Sequence, residues 1–233
     1  MFEQKIKTVV LLGTLKTGDE SSNTDELVDE LLNHFAEYGV DVEKFRLANM
    51  NIPVGLGEKM SDDDEWPQIA DALRKADIVI FATPIWWGGQ SSLIQRVMER
   101  MTHFDESYIM TGKSDLYHKI AGIVITGHED GVQHVVGNLY NFLQWLGFVI
   151  PPESVAYWVG EVGGGMNEDA VKRRKNQATK AMLDVMARNL INYAMLMKTH
   201  KKELADFEEK HIARVGTRGG TEAILKKMPG DGK

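Results

Sequence analysis

The pattern of apolar residues predicts an α/β fold: a parallel sheet with helices on both faces. Three observations predict it. Short continuous apolar runs at residues 8–12, 78–81 and 120–125 are rich in β-branched side chains, as strands covered on both faces must be. Longer amphipathic stretches with apolar residues at helical spacing lie between them. The two kinds alternate along the chain, which is the order that gives parallel strands joined by crossover helices.

Each element can be read in turn. The run Thr8-Val9-Val10-Leu11-Leu12 stops at Gly13. Leu27, Leu31, Leu32 and Phe35 then recur among acids as a helix that Gly39 ends. Residues 40–45 alternate apolar and charged, as a half-buried strand would. Residues 47–65 are irregular, with Pro53, Gly55, Gly57 and the acid run Asp62-Asp63-Asp64-Glu65. Pro67 suits the first turn of a helix continued by Ile69, Ala70 and Leu73. After Ile78-Val79-Ile80-Phe81 comes a helix carrying Leu93, Ile94, Val97, Met98 and Met101. Residues 105–118 are polar and read as an insertion. The strand at 120–125 precedes a helix at 132–146. Gly147-Phe148-Val149-Ile150 begins a last strand that Pro151-Pro152 breaks. One long helix is expected from near Asn167 to about Lys202, with Ala178, Met182, Val185, Met186, Tyr193 and Met197 as its apolar stripe. Residues 1–198 therefore read as one domain. Residues 199–233 read as a charged extension, flexible or docking a partner.

Composition narrows the function classes. The chain has 233 residues, enough to bury roughly 70–75% of its unfolded surface without staples. It has no cysteine, which excludes disulfides, cysteine nucleophiles, thiolate zinc sites and cysteine-held iron–sulfur clusters. A formal charge of −7 opposes a nucleic-acid role. No uncharged run approaches the roughly 18 residues of a membrane span, so a cytosolic protein is expected.

Ligands of an open parallel sheet bind outside the carboxyl ends of its strands. After the first run comes a hydroxyl-rich loop, Gly13-Thr14-Leu15-Lys16-Thr17-Gly18-Asp19-Glu20-Ser21-Ser22-Asn23-Thr24, ending at a helix N-terminus. It lacks the Lys-Ser/Thr of a Walker loop and the G-x-G-x-x-G of a dinucleotide fold. A phosphate cradle of hydroxyls and backbone amides is one reading. Ordinary capping, with Asn23 as N-cap and Glu26 three residues on, is the other. Asp25 and Glu26 would have to point away from a bound anion. After the second run, Pro84-Ile85-Trp86-Trp87-Gly88-Gly89 offers a shelf for a planar aromatic ligand; one of the two tryptophans is expected to turn into the core or a subunit contact. After the third comes Thr126-Gly127-His128-Glu129-Asp130-Gly131.

These three loops together resemble the flavodoxin-like NAD(P)H-dependent FMN reductase family, which includes multimeric quinone reductases and iron–sulfur flavoproteins. The resemblance spans about residues 5–196. Its most specific part is Thr83-Pro84-Ile85-Trp86-Trp87-Gly88, followed by a helix ending in Glu99-Arg100. It implies a three-layer flavodoxin-like sandwich with a five-stranded parallel sheet in the order 2-1-3-4-5. It implies FMN as cofactor, its phosphate on Thr14, Lys16, Ser22, Asn23 and Thr24. The ring would lie along Pro84, Ile85, Trp86, Trp87 and Gly88, with Thr126, Gly127, His128 and Gly131 at the other edge. NADPH or NADH would be the reductant, and a quinone, flavin or similar small molecule the acceptor. Relatives are commonly dimers or tetramers, so the resemblance implies a homodimer or homotetramer. The first loop is longer than the family's short form, and residues 49–59 lack the cysteines that cluster-bearing relatives place there.

No protein acid or base is obligatory for hydride transfer to a flavin, so no catalytic residue is assigned. His128 serves either the ring edge or only solvent. His128-Glu129 does not continue as H-E-x-x-H, because Val132 stands fifth. The acids 62–65 read as a solvated loop and not as a metal site. Lys172-Arg173-Arg174-Lys175 reads as a solvated helix face, although it could meet the 2′-phosphate of NADPH. A flavodoxin-type electron carrier and a flavin-free binding module are the competing functions.

Overall fold

The computed structural model describes residues 5–111, 114–128, 130–163 and 165–205. In chain order the elements are β1 (Lys7–Leu12), α1 (Asn23–Ala36), β2 (Asp41–Arg46), α2 (Trp66–Lys75), β3 (Ile78–Trp86), β4 (Gly89–Gln90) and α3 (Ser92–Arg100). There follow α4 (Thr102–Thr111), β5 (Ile120–Gly127), α5 (Val132–Trp145), β6 (Val155–Val159), α6 (Met166–Lys175) and α7 (Gln177–Thr199). The parallel order is β2-β1-β3-β5-β6, with β4 a two-residue hairpin partner of β3. With that hairpin set aside, this is the flavodoxin-like order 2-1-3-4-5.

Alternation along each strand divides the core into two layers. Val9, Leu11, Val79, Phe81, Ile123 and Ile125 face α2, α3 and α5, and meet Trp66, Ile94, Val97, Val135 and Leu139. Val10, Leu12, Ile80, Ala82 and Val124 face α1 and α7, and meet Leu27, Leu31, Phe35, Leu183, Met186 and Leu190. Strands sandwiched in this way need apolar residues at every position, which is why β1, β3 and β5 read as unbroken runs.

Several expectations are corrected. Val149 makes only a lone bridge to Ile120, and the last strand starts at Val155, beyond the two prolines that cannot donate to a ladder. The long C-terminal helix is two helices. Asn176 leaves helical geometry at ψ 115°, closes α6 and caps α7 by accepting from the Thr179 N–H at 2.9 Å. The first half of the polar insertion, residues 105–111, belongs to α4, and residues 112–113 lie outside the described residues. Of the 199–233 extension, residues 201–205 are helical, and 206–233 lie outside the described residues.

The amino end of β5 holds a buried cation. The Lys119 ammonium donates to the carbonyls of Arg74 at 2.8 Å and Ala76 at 2.7 Å, and burial pushes its pKa down to about 8. Between that value and the ordinary 10.5, the unfolded chain binds the proton and the folded chain does not, so stability rises with pH there. Relative to Lys119→Met, the wild-type unfolding free energy is expected to rise by about 3 kcal/mol from pH 7 to 11. Urea denaturation of both proteins across that range checks it; a constant difference would refute the burial effect.

Candidate functional site

The carboxyl ends of β1, β3 and β5 bring the three loops of the sequence together, and side-chain hydrogen bonds tie them. Ser22 donates to the Thr14 hydroxyl at 3.0 Å, which closes the first loop on itself. Thr24 and Thr126 share a hydrogen bond of 2.6 Å, which joins the first loop to the third. All four hydroxyls are buried. Gly13 joins the first loop to β3 through its N–H, which donates to the Ala82 carbonyl at 2.7 Å.

The extra length of the first loop is braced from β2 and the turn after it. Arg46 donates to the carbonyls of Lys16 at 3.2 Å and Glu20 at 3.1 Å, and Asn49 accepts from the Gly18 N–H at 2.7 Å. The Lys16 ammonium folds back over the loop onto the Ser21 carbonyl at 2.6 Å. Ser22, not Asn23, is the N-cap of α1, accepting from the Asp25 N–H. The acids after it do turn away. Asp25 pairs with Arg46 and Lys44 at 2.5 and 2.6 Å, and Glu26 pairs with Arg173 and Arg174, each at 2.7 Å. Burial works to raise the Glu26 carboxyl, but the two guanidinium groups outweigh it and hold its pKa below the ordinary value. What remains at this helix end is an ammonium, hydroxyls and the positive end of a 14-residue helix.

In the second loop neither tryptophan turns into the core of its own chain. β3 pairs with β4 across the two-residue turn Trp87-Gly88, with φ of 50° and 78°. Two consecutive positive φ values are the turn that suits a tight hairpin. Trp87, a large side chain held in left-handed backbone at a cost of about 1–2 kcal/mol, is 93% exposed, and Trp86 is 50% exposed. Strand alternation puts Ile85 inward instead, in the core. Pro84 is half-buried, and its carbonyl accepts from the Thr83 hydroxyl at 2.9 Å. Gly131 abuts the hairpin: a Cβ there would lie 2.7 Å from the Gly88 carbonyl oxygen, so only glycine lets the third loop close on the second.

His128 is half-buried and not a free surface histidine. Its Nε2 lies 3.5 Å from the Asp169 carboxylate. Glu129, the next residue, lies outside the described residues. In the basic run Lys172, Arg174 and Lys175 are exposed, as a solvated helix face requires, and Arg173 is the exception. Arg173 is fully buried against Asn23, Glu26 and Glu30, Arg174 pairs with Glu26, and Lys172 pairs with Glu161 at 2.8 Å. Asp64 of the acid run is buried against Arg100, and among the described residues no His, Asp and Glu group has the arrangement of a metal site. Two cavities, of about 540 and 410 Å³, open at the amino ends of the strands, around Thr8 and Lys119, and not at these loops.

The family model described as NADPH-dependent FMN reductase matches residues 6–161. The chain belongs to that family. It is 30% identical over 202 residues to the 8-demethyl-8-aminoriboflavin-5'-phosphate synthase of Streptomyces davaonensis, covering 83% of this chain and 79% of that one. It is also similar to the crystal structure of RosB with its bound intermediate 8-demethyl-8-formylriboflavin-5'-phosphate. There the TM-score is 0.74 and the identity 27%, over 88% of this chain and 87% of that one. A third similarity, 32% over 199 residues, is to 29% of the length of a Mycobacterium bovis protein named divalent metal cation transporter MntH. No helix among the described residues of this family member is long and apolar enough to cross a membrane. The matched span of the family model contains all three loops, but not α6, whose Asp169 and Arg173 reach back onto them.

Proposed function

We propose that this chain binds FMN at the three loops and acts as an NAD(P)H-dependent oxidoreductase whose acceptor is a quinone, a flavin or a similar small molecule. The observation that carries the proposal is the linkage of a hydroxyl-lined, cation-bearing helix N-terminus to an exposed aromatic hairpin at adjacent strand ends. A flavin phosphate fits that donor set. Thr14, Ser22, Thr24 and the first N–H groups of α1 supply neutral donors, and Lys16 supplies the charge. Both nearby acids are already neutralised by arginine and lysine, so they do not oppose an anion. Pro84, Trp86, Trp87 and Gly88 form the shelf for the ring, and His128 stands at the third loop as a hydrogen-bonding group.

When bound, FMN accepts hydride and passes electrons on, so the protein itself need only bind, orient and shield it. The Gly13–Ala82 bond ties the phosphate loop to β3, which carries the shelf, and the Thr24–Thr126 bond ties it to the third loop, which supports the positioning that hydride transfer needs. The exposed Trp87 and Trp145 are consistent with the homodimer or homotetramer we propose with it. Anaerobic titration of the FMN-loaded protein with NADPH and with NADH tests the reading. Bleaching of the visible flavin absorbance is expected. A protein that takes up no FMN refutes the flavin readings, and one that holds FMN without bleaching refutes the NAD(P)H-dependent one.

A second reading follows from the synthase relative, whose name describes a modified riboflavin phosphate as its product. In that reading the flavin phosphate held by the same loops is the substrate. Mass spectrometry of flavin recovered after turnover separates the two, since an oxidoreductase returns FMN unaltered.

A further inference from the structure

We infer that Asp169 is a positioning residue that couples the phosphate end of the flavin site to the ring end, by holding Asn23 and His128 on one carboxylate. The inference rests on the flavin reading of the loops and adds to it a residue from outside the matched family span.

Asp169 lies in the first turns of α6, and its side chain is almost wholly enclosed, at 3% exposed. A buried carboxylate is retained only where donors surround it. One oxygen, Oδ1, accepts from the Trp158 indole N–H at 2.8 Å. The other, Oδ2, accepts from the Asn23 amide N–H at 2.8 Å and lies 3.5 Å from His128 Nε2. Asn23 opens α1 in the phosphate loop, and His128 follows β5 in the third loop. Two residues of the candidate site, 105 positions apart in sequence, thus meet at one atom.

Two neighbours make the arrangement specific. Gly160 leaves the room for it: a Cβ there would lie 2.0 Å from Asp169 Oδ1 and 2.9 Å from the His128 ring. Arg173, one helical turn beyond Asp169 and on the same face, donates to the Asn23 side-chain oxygen Oδ1 at 2.9 Å. The Asn23 amide is therefore held by an anion at its nitrogen and a cation at its oxygen. Only one of its two flip states satisfies both. The same oxygen of Asp169 faces the imidazole at 3.5 Å, so turning His128 away takes a polar neighbour from the enclosed carboxylate. α6 thus acts as a brace that sets two donors at opposite ends of the site, and Asp169 is where the two settings depend on each other.

The test is a double-mutant cycle on FMN binding, measured by quenching of flavin fluorescence on addition of apo-protein. Asn23→Ala and His128→Ala are each expected to raise Kd. Their double variant is expected to fall short of the product of the single effects by about fivefold, because each single change already frees the shared carboxylate. Asp169→Asn keeps the shape under Gly160 and swaps an acceptor for an N–H. It is expected to raise Kd about tenfold, to abolish the coupling between Asn23 and His128, and to shift the visible band of bound flavin as His128→Ala does. A merely structural role would move none of the last two. Additive effects of Asn23→Ala and His128→Ala, or coupling that survives in Asp169→Asn, overturn the inference and leave the flavin site standing. The cycle needs no change at Asp169, so it decides the matter even if Asp169→Asn does not fold. Failure of the unaltered protein to quench FMN overturns the flavin reading and this inference with it.

Discussion

Ser22→Asp is expected to cost at least a hundredfold in FMN affinity while lowering the melting temperature of the apo-protein by only a few degrees. The two effects separate because Ser22 does two jobs. As N-cap of α1 it accepts from the Asp25 N–H, and an aspartate at that position caps as well as a serine. A carboxylate at a helix N-terminus also suits the helix dipole, which offsets part of the cost of enclosing the charge, and the Thr14 hydroxyl can turn to donate to it where Ser22 now donates to Thr14. A phosphate gains no such relief. A unit negative charge within a few ångströms of another costs on the order of 4 kcal/mol at the effective dielectric of a protein surface, about a thousandfold in Kd. Ser22→Ala is the opposite control: it loses the cap, about 1 kcal/mol of stability, but adds no charge and binds FMN far better than Ser22→Asp. Fluorescence quenching for Kd and thermal melts of apo-protein decide the pair. Equal FMN affinity in Ser22→Asp and wild type would remove the phosphate from this loop.

Where the fold was legible in the sequence, the signal was local. β1, β3 and β5 show as apolar runs because burial on both faces demands it at every position. The helices show through their period, and the loops between them through glycine and hydroxyl content. The last strand was misplaced because residues 147–150 have strand composition but feed directly into two prolines, and the ladder resumes only after the turn at Glu153 (φ 51°). The α6–α7 break carries neither glycine nor proline. Asn176 makes it by capping, an effect that a polar residue in the middle of a periodic stretch barely advertises.

Within the candidate site, the membership of the three loops was readable, but the partners of their side chains were not. Trp86 and Trp87 are adjacent, and which of them points inward depends on where the hairpin turn falls; the turn takes Trp87 itself and leaves Ile85 as the inward residue. Arg173 looks like one of four consecutive cations on an exposed helix. Only the approach of α6 to α1 shows that it is fully buried against Glu26, Glu30 and Asn23. Asp169 carries a faint signal, an acid four residues before an arginine on one helix face, yet its partners lie at positions 23, 128 and 158. Contacts at such sequence separation have no period and no motif, so composition and spacing could not have found them.

Arg100→Met is expected to destabilise the protein by about 3–5 kcal/mol at neutral pH, because it strips a buried carboxylate of its cation. Both side chains of the Arg100–Asp64 pair are fully enclosed, at an N–O distance of 2.8 Å. Arg100 also donates to the carbonyls of Pro53 at 2.8 Å, Gly57 at 3.1 Å and Glu58 at 3.2 Å, and its guanidinium lies 5.5 Å from the Trp66 ring. One side chain at the end of α3 therefore fastens the irregular segment between β2 and α2, which has no ladder of its own. Burial works to raise the Asp64 carboxyl, but bonds from Arg100 and from the Trp66 and Met60 N–H groups prevail and hold its pKa below the ordinary 3.8. With a depressed folded pKa, the stabilisation from the carboxylate is present above 3.8 and fades as pH falls through the lower folded value. In Arg100→Met the same carboxyl loses its cation and prefers its proton, so the deficit against wild type is largest at neutral pH and shrinks as the solution is acidified toward pH 4. Urea denaturation of both proteins at pH 7 and at pH 4.5 checks this. A deficit that is small, or that grows on acidification, would mean that Arg100 acts through packing alone and not as the counter-charge of Asp64.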